Sequence, residues 1–207
     1  MIKSDFNDGL AEELLTSLDK INKYNLTDTN LKLEKLFKKY LNFDSDFLST
    51  LSITQLETIF VHPKIKDYSK FTILGVLFVK QWTLCEQNDN TFYKLLKGFY
   101  ILSHIYLNDK DTKIPYYIND LMSSCEELSH YDLDNNALYT LVKIYAKHED
   151  YTKVDDISFE LLKKGKKYKD DILEIYNSMM SHNEDFLSTK EMTKDEIQSA
   201  IEEIKRL

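Results

Sequence analysis

The chain predicts an all-α fold: antiparallel helical hairpins stacked as a short array, preceded by an N-terminal helical segment. Three observations carry this. Glycine occurs four times and proline twice in 207 residues, far below the roughly 7% and 5% of average proteins, so the punctuation of tight β-hairpins is missing. Apolar residues recur at intervals of three and four along most of the chain. Two Ser/Thr-x-x-Gln/Glu boxes, Ser52 to Gln55 and Thr193 to Glu196, mark helix starts. With 43% hydrophobic residues, the chain can bury one core or a few stacked hairpins in one or at most two domains, and a single compact unit is the simpler reading.

Taken in order, Ile2, Phe6, Leu10, Leu14, Leu18 and Ile21 share one side of a first amphipathic helix. A break at residues 25–30 offers Thr27, Asp28 and Thr29 as caps. Leu33, Leu36, Phe37 and Tyr40 mark a second helix, expected to pair with the first. Leu51 and Leu56 flank the Ser52 box as a hydrophobic staple, so a helix starts there. Pro63 disfavours helix just before it, which makes residues 61–69 a connection and divides the chain into an N-terminal helical segment, 1–62, and a stack, 63–207.

Residues 71–79 are apolar or glycine except Thr72. That leaves no solvent stripe and predicts the most buried helix; the run is far short of the roughly 20 residues of a membrane span. The turn at 87–90 precedes a helix with Phe92, Leu95, Leu96, Phe99 and Tyr106 on its face. After the polar loop 108–113 and Pro115, Ile118, Leu121, Met122, Cys125 and Leu128 line another. Short joins make these three antiparallel neighbours. Leu138, Leu141, Val142 and Tyr145, then Val154, Ile157 and Leu161, are the inner faces of a hairpin turning at Glu149, Asp150 and Tyr151. Ile172, Ile175, Tyr176 and Met179 mark a further helix, and Ile197, Ala200, Ile201 and Ile204 a last one, stapled by Met192 and Ile197, that closes the stack.

That hairpin resembles a degenerate tetratricopeptide (TPR) unit. Leu141, Tyr145, Asp150, Tyr151, Val154, Leu161 and Leu162 fall at its consensus positions, whereas Glu149 replaces the turn glycine, Val154 the usual alanine, and the late aromatic is displaced to Phe159. A weaker likeness covers residues 82–102, around Lys97, Gly98 and Phe99. Through residues 41–48, the turn at 150–156 and the ending 186–207, the chain resembles an uncharacterised family of cytoplasmic Firmicutes proteins with a helical segment before TPR-like helices. The resemblance implies a bacterial source and a helical-repeat fold, and no function. A repeat hairpin buries its apolar face only by stacking.

The net charge of −8 is spread along the chain and repels phosphate backbones and anionic lipids, so neither nucleic acid nor membrane is expected as a partner. Cys85 and Cys125, forty residues apart without a Cys-x-x-Cys or a leader at Met1, suit a reducing cytoplasm. Both sit on apolar stripes without a basic neighbour and are expected to be buried and inert. No two of Gly9, Gly75, Gly98 and Gly165 lie within twenty residues of one another, which excludes phosphate-cradling loops and a nucleophile elbow. Glu127 and His130 have Glu-x-x-His spacing, but no second copy exists to complete a di-metal bundle. His104 reads as a hydrogen-bonded core or boundary residue. Asp155 with Asp156, and Glu202 with Glu203, read as solvated faces, and the lysines of 163–167 around Gly165 as a helix terminus.

Fourteen tyrosines and eleven phenylalanines exceed what this core needs. Tyr93, Tyr100, Tyr106, Tyr116, Tyr117, Tyr139 and Tyr145 either finish the core with their hydroxyls at its edge or line a binding groove. The chain therefore reads as a non-enzymatic protein- or peptide-binding module without metal or cofactor. The alternative is a dimer paired through its first or last helix.

Overall fold

The computed structural model describes residues 5–21 and 26–207, and among them every regular element is helical. The chain divides into two compact units, Met1–His130 and Tyr131–Leu207. The first holds α1 (Asp5–Asp19), α2 (Leu26–Leu41), α3 (Ser45–Thr50), α4 (Ile53–Phe60), α5 (Ser69–Leu84), α6 (Asp89–Leu107) and α7 (Tyr117–Leu128). The second holds α8 (Asn135–His148), α9 (Tyr151–Lys164), α10 (Lys169–Met180), α11 (Glu184–Thr189) and α12 (Lys194–Arg206).

α5 is the hub of the first unit, as its unbroken apolar run predicts: residues 71–79 are all buried. It packs on α2, α4, α6 and α7. Residues 61–68 connect α4 to α5 within this unit, with α2 packed on α5 across the connection. The expected pairing of the first two helices is not the main one. α2 packs on the hub, with the Phe37 and Phe78 rings 5.5 Å apart, and its Leu33 and Leu41 are buried as well. α1 reaches α2 through the Lys39–Glu13 ion pair at 2.6 Å and a Ser17–Tyr40 hydroxyl contact at 3.4 Å. Of the first helix's expected face, Ile2 and the Phe6 side chain lie outside the described residues, while Leu14 and Leu18 are buried. Asp28 and Thr29 fall inside the first turn of α2, and the Thr27 side chain lies outside the described residues.

The hub and α6 touch almost backbone to backbone, because a glycine from each meets at the crossing. A Cβ at Gly98 would stand 2.8 Å from the Gly75 carbonyl oxygen, and one at Gly75 would stand 2.6 Å from Leu102 Cδ2. Two glycines in helix interiors cost roughly 1 kcal/mol each in propensity, and the close approach they permit is what offsets that.

Both units repeat one local device. α3 and α11 each carry Asp-Phe-Leu-Ser-Thr, are capped by Asp44 and Asn183 accepting from Phe47 N and Phe186 N at 2.8 Å, and bury their leucine, Leu48 or Leu187, completely. Each precedes a helix opened by a capping box, Ser52 with Gln55 and Thr193 with Glu196. The stapling leucine and isoleucine, Leu56 and Ile197, are 0% exposed.

In the second unit α8 and α9 form the expected hairpin. Leu138, Leu141, Val142, Tyr145, Val154, Ile157 and Leu161 are all buried. Glu149 adopts φ 61°, the left-handed region, and its N–H reaches the Ala146 and Tyr145 carbonyls, while Asp150 caps α9 by accepting from Lys153 N. Gly165 ends α9 as expected, in extended backbone at φ 164°. Lys164, in its last turn, is held by Asp132 and by the Leu133 carbonyl at 2.8 Å. α10 packs on α9 and α12; Ile197, Ala200, Ile201 and Ile204 of α12 are all buried. Asp155 is not simply solvated: it accepts the hydroxyl of fully buried Tyr176 at 2.6 Å.

Gly98→Ala is expected to destabilise the protein by about 1–3 kcal/mol in urea unfolding, since the new methyl meets backbone. Gly9→Ala, where a Cβ meets nothing within 4 Å, is expected to stabilise by about 0.5–1 kcal/mol. Glu149→Gly is expected to raise the urea midpoint, relieving a left-handed residue at a gain of about 1 kcal/mol; an unchanged midpoint would show the turn unstrained.

Candidate functional site

α6 carries two lysines on an otherwise apolar face. Lys94 and Lys97, three positions apart, share a side of the helix, and they are 3% and 7% exposed. A buried ammonium is tolerated only with partners, and α3 supplies them. Lys94 Nζ donates to Ser45 Oγ at 2.9 Å and Asp46 Oδ1 at 2.7 Å. Lys97 Nζ donates to the carbonyls of Ser49 and Leu51, the latter at 2.6 Å, and stands 4.9 Å from the Tyr93 ring centre. These carbonyls belong to the last turn of α3 and its cap, where a helix leaves acceptors unsatisfied, and a cation there also offsets the helix dipole.

The other end of α3 is fixed from two further directions. Ser45 Oγ donates to Glu34 Oε1 of α2 and accepts from Gln81 Nε2 of α5 at 3.0 Å. Ser45 N donates to Glu34 Oε2 at 3.1 Å, and Gln81 Nε2 also reaches Glu34 Oε1 at 3.1 Å. The Lys94 ammonium beside Asp46 holds that carboxyl below the usual range against a smaller opposing effect of burial. None of this was read from the sequence, where Lys94 and Lys97 look like ordinary surface lysines; two lysines between Phe92, Leu95, Leu96 and Phe99 were the signal.

Two recesses flank the anchored helix. At its C-terminal end, Leu51 and Ile53 face Tyr93, Leu96, Lys97 and Tyr100 across an apolar cleft of about 450 Å³. At its N-terminal end lies a polar recess of about 390 Å³. The apolar cleft collects two of the seven tyrosines singled out above, and Tyr93 is 53% exposed there. The other five stand elsewhere. In the first unit Tyr106 is half-buried, Tyr116 donates its hydroxyl to the Ala11 carbonyl at 2.7 Å, and Tyr117 is buried. In the second, Tyr139 stacks on Tyr168 with centroids 4.1 Å apart and Tyr145 is buried. Burial pushes the Tyr116, Tyr117 and Tyr139 hydroxyls up to about 12, so they stay protonated at neutral pH.

The remaining polar candidates have structural partners. Glu127 accepts the Trp82 indole N–H at 3.0 Å, while His130 is exposed at the end of α7. His104 Nε2 is buried 3.4 Å from Glu57 Oε1 without a hydrogen bond, so the ring is a boundary residue packed near Tyr68 and Phe71 and not the hydrogen-bonded one expected. Cys125 is buried and Cys85 half-buried, and burial raises both thiols. Lys94 does act on Cys85, against the expectation of no basic neighbour, but its pull is outweighed by desolvation. Among the described residues no group of three or more His, Cys, Asp and Glu side chains is placed to hold a metal ion, and no helix is long and apolar enough to cross a membrane. No family model, curated protein or solved structure matches the chain.

Lys97→Met leaves two α3 carbonyls without their charged donor and is expected to cost about 1.5–3 kcal/mol in urea unfolding. Asp46, whose folded value is lowered, contributes stability that is complete above the ordinary carboxylate range and lost as pH falls through the folded value. Because its side chain is 82% exposed, the effect is small. Asp46→Asn should flatten the acid limb of the stability curve below about pH 4 without moving its neutral-pH plateau far.

Proposed function

We propose that the protein is a non-enzymatic interaction module of TPR-like stacked hairpins that captures an apolar segment of a partner protein in the cleft between the start of α4 and α6. One observation carries this reading: Tyr93 stands half in solvent at the mouth of a cleft walled by Leu51, Ile53, Leu96 and Tyr100. Tyrosine offers large contact area with few rotors and is enriched at interfaces. Lys97 lines this cleft and holds its Leu51 wall by the carbonyl, and a wall fixed before a partner arrives lowers the ordering cost of binding. An anchor residue of a partner helix or extended peptide fits such a recess.

Self-association is the second reading, and its support is a different surface. The helices first expected to pair, α1 and α12, spend Leu14, Leu18, Ile197, Ala200, Ile201 and Ile204 on their own units. By contrast Phe43 and Phe47, stacked with centroids 5.3 Å apart, are 37% and 45% exposed, and Ile59 is 46% exposed.

Selection of a displayed random-peptide library on the full chain is expected to enrich peptides sharing one large apolar anchor. Their affinity should fall at least about tenfold in Tyr93→Ala or Leu96→Ser, a loss in the range of interface hot spots. Peptides that bind these variants as well as the parent would overturn the assignment. A concentration-dependent dimer in sedimentation, abolished by Phe47→Ser, would favour the second reading.

A further inference from the structure

We infer that the polar recess at the N-terminal end of α3 is a binding site for a small organic cation bearing a primary ammonium or guanidinium group. Its wall carries three carboxylates, Glu34, Asp46 and Glu86, against one ammonium, Lys94. That ammonium is already committed to Ser45 and Asp46, as Glu34 is to Ser45 and Gln81, so the exposed Glu86 carboxylate is the charge the wall offers and the ammonium has little to give an anion. Gln81 also lines the recess, and it is 2% exposed. Its carboxamide orientation is fixed, because Nε2 must face Glu34 Oε1 and Ser45 Oγ. Its Oε1 is therefore left as a buried acceptor with no hydrogen-bond partner. An unpaired buried acceptor is unfavourable and is satisfied by a donor.

A ligand suited to this recess supplies N–H donors and positive charge, and an ammonium is donor-only. The volume, about 390 Å³, lies at the lower end of small-molecule sites and suits a free amine better than a peptide segment. The carboxylates are not grouped as metal ligands, which sets an organic cation above a divalent one.

Titration of the full-length ¹⁵N-labelled chain with putrescine tests this. Saturable shifts of the Gln81 side-chain amide and of the Ser45 backbone amide are expected by about 10 mM, the weak end of small-ligand binding. Glu86→Gln, which removes an exposed wall charge and leaves the Ser45 network intact, should weaken binding roughly threefold. Gln81→Met should abolish it; if that variant does not fold, Glu86→Gln decides. Equal shifts with succinate, no saturation, an affinity unchanged in Glu86→Gln, or tighter binding of a lysine tripeptide than of the free amine would each overturn the proposal. Peptide capture at the Tyr93 cleft is a separate readout, so either reading can fail without the other.

Discussion

Two ammonium groups buried on one side of α6 hold a helix that is too short to hold itself. Six residues close hardly more than one hydrogen-bonded turn, and nucleating that turn is unfavourable in isolation. α3 persists because Lys94 grips its first residues, Lys97 its last carbonyls, Asp44 caps it, and Leu48 is sunk to 0% exposure beneath it. Burying two lysine stems also costs side-chain entropy of up to about 2 kcal/mol each, so the arrangement stands only while every donor it commits has an acceptor. The shape of both recesses follows from this clamp: each has α3 or its flanking residue as one wall and α6 as another.

The clamp in turn needs α6 to sit close against the hub. Gly75 and Gly98 bring the α5 and α6 backbones together at the same level of the helix that carries Lys94 and Lys97. From α5, Gln81 reaches Ser45, and from α2, Glu34 does so. Four helices therefore converge on one serine hydroxyl, which accepts two hydrogen bonds and donates one. A buried polar network of this kind is stable when its members are satisfied, and the one atom left out, Gln81 Oε1, is where the network points to a ligand.

Much of this fold is legible in the sequence wherever the signal is local or strongly periodic. The Ser52 and Thr193 boxes, the unbroken apolar run of α5 and the α8–α9 hairpin follow from spacing alone, since capping geometry and amphipathicity are decided within one or two turns. α3 and α11 escaped, because six residues carry no period, although their shared Asp-Phe-Leu-Ser-Thr was there to be noticed. The pairing of α2 with α1 was legible from proximity in sequence and is made through Glu13 and Ser17, whereas the packing of Phe37 on α5 was not, since it joins helices far apart in the chain. Of the candidate site, aromatic excess led to Tyr93 and Tyr100 but also to five tyrosines placed elsewhere. The lysines that shape the cleft left only a faint mark, their place among Phe92, Leu95, Leu96 and Phe99, because tertiary contact is what distinguishes a buried lysine from a solvated one.

The most direct test of the clamp is observation of the lysine side-chain ammonium protons by ¹H–¹⁵N correlation at neutral pH. Lys94 and Lys97, sealed against α3, are expected to give ammonium signals that exchange slowly with water, with Lys97 Nζ showing through-hydrogen-bond coupling to the Leu51 carbonyl carbon. Exchange as fast as that of Lys32 or Lys39, which pair at the surface, would mean that α3 is not held by α6 and that neither recess is preformed.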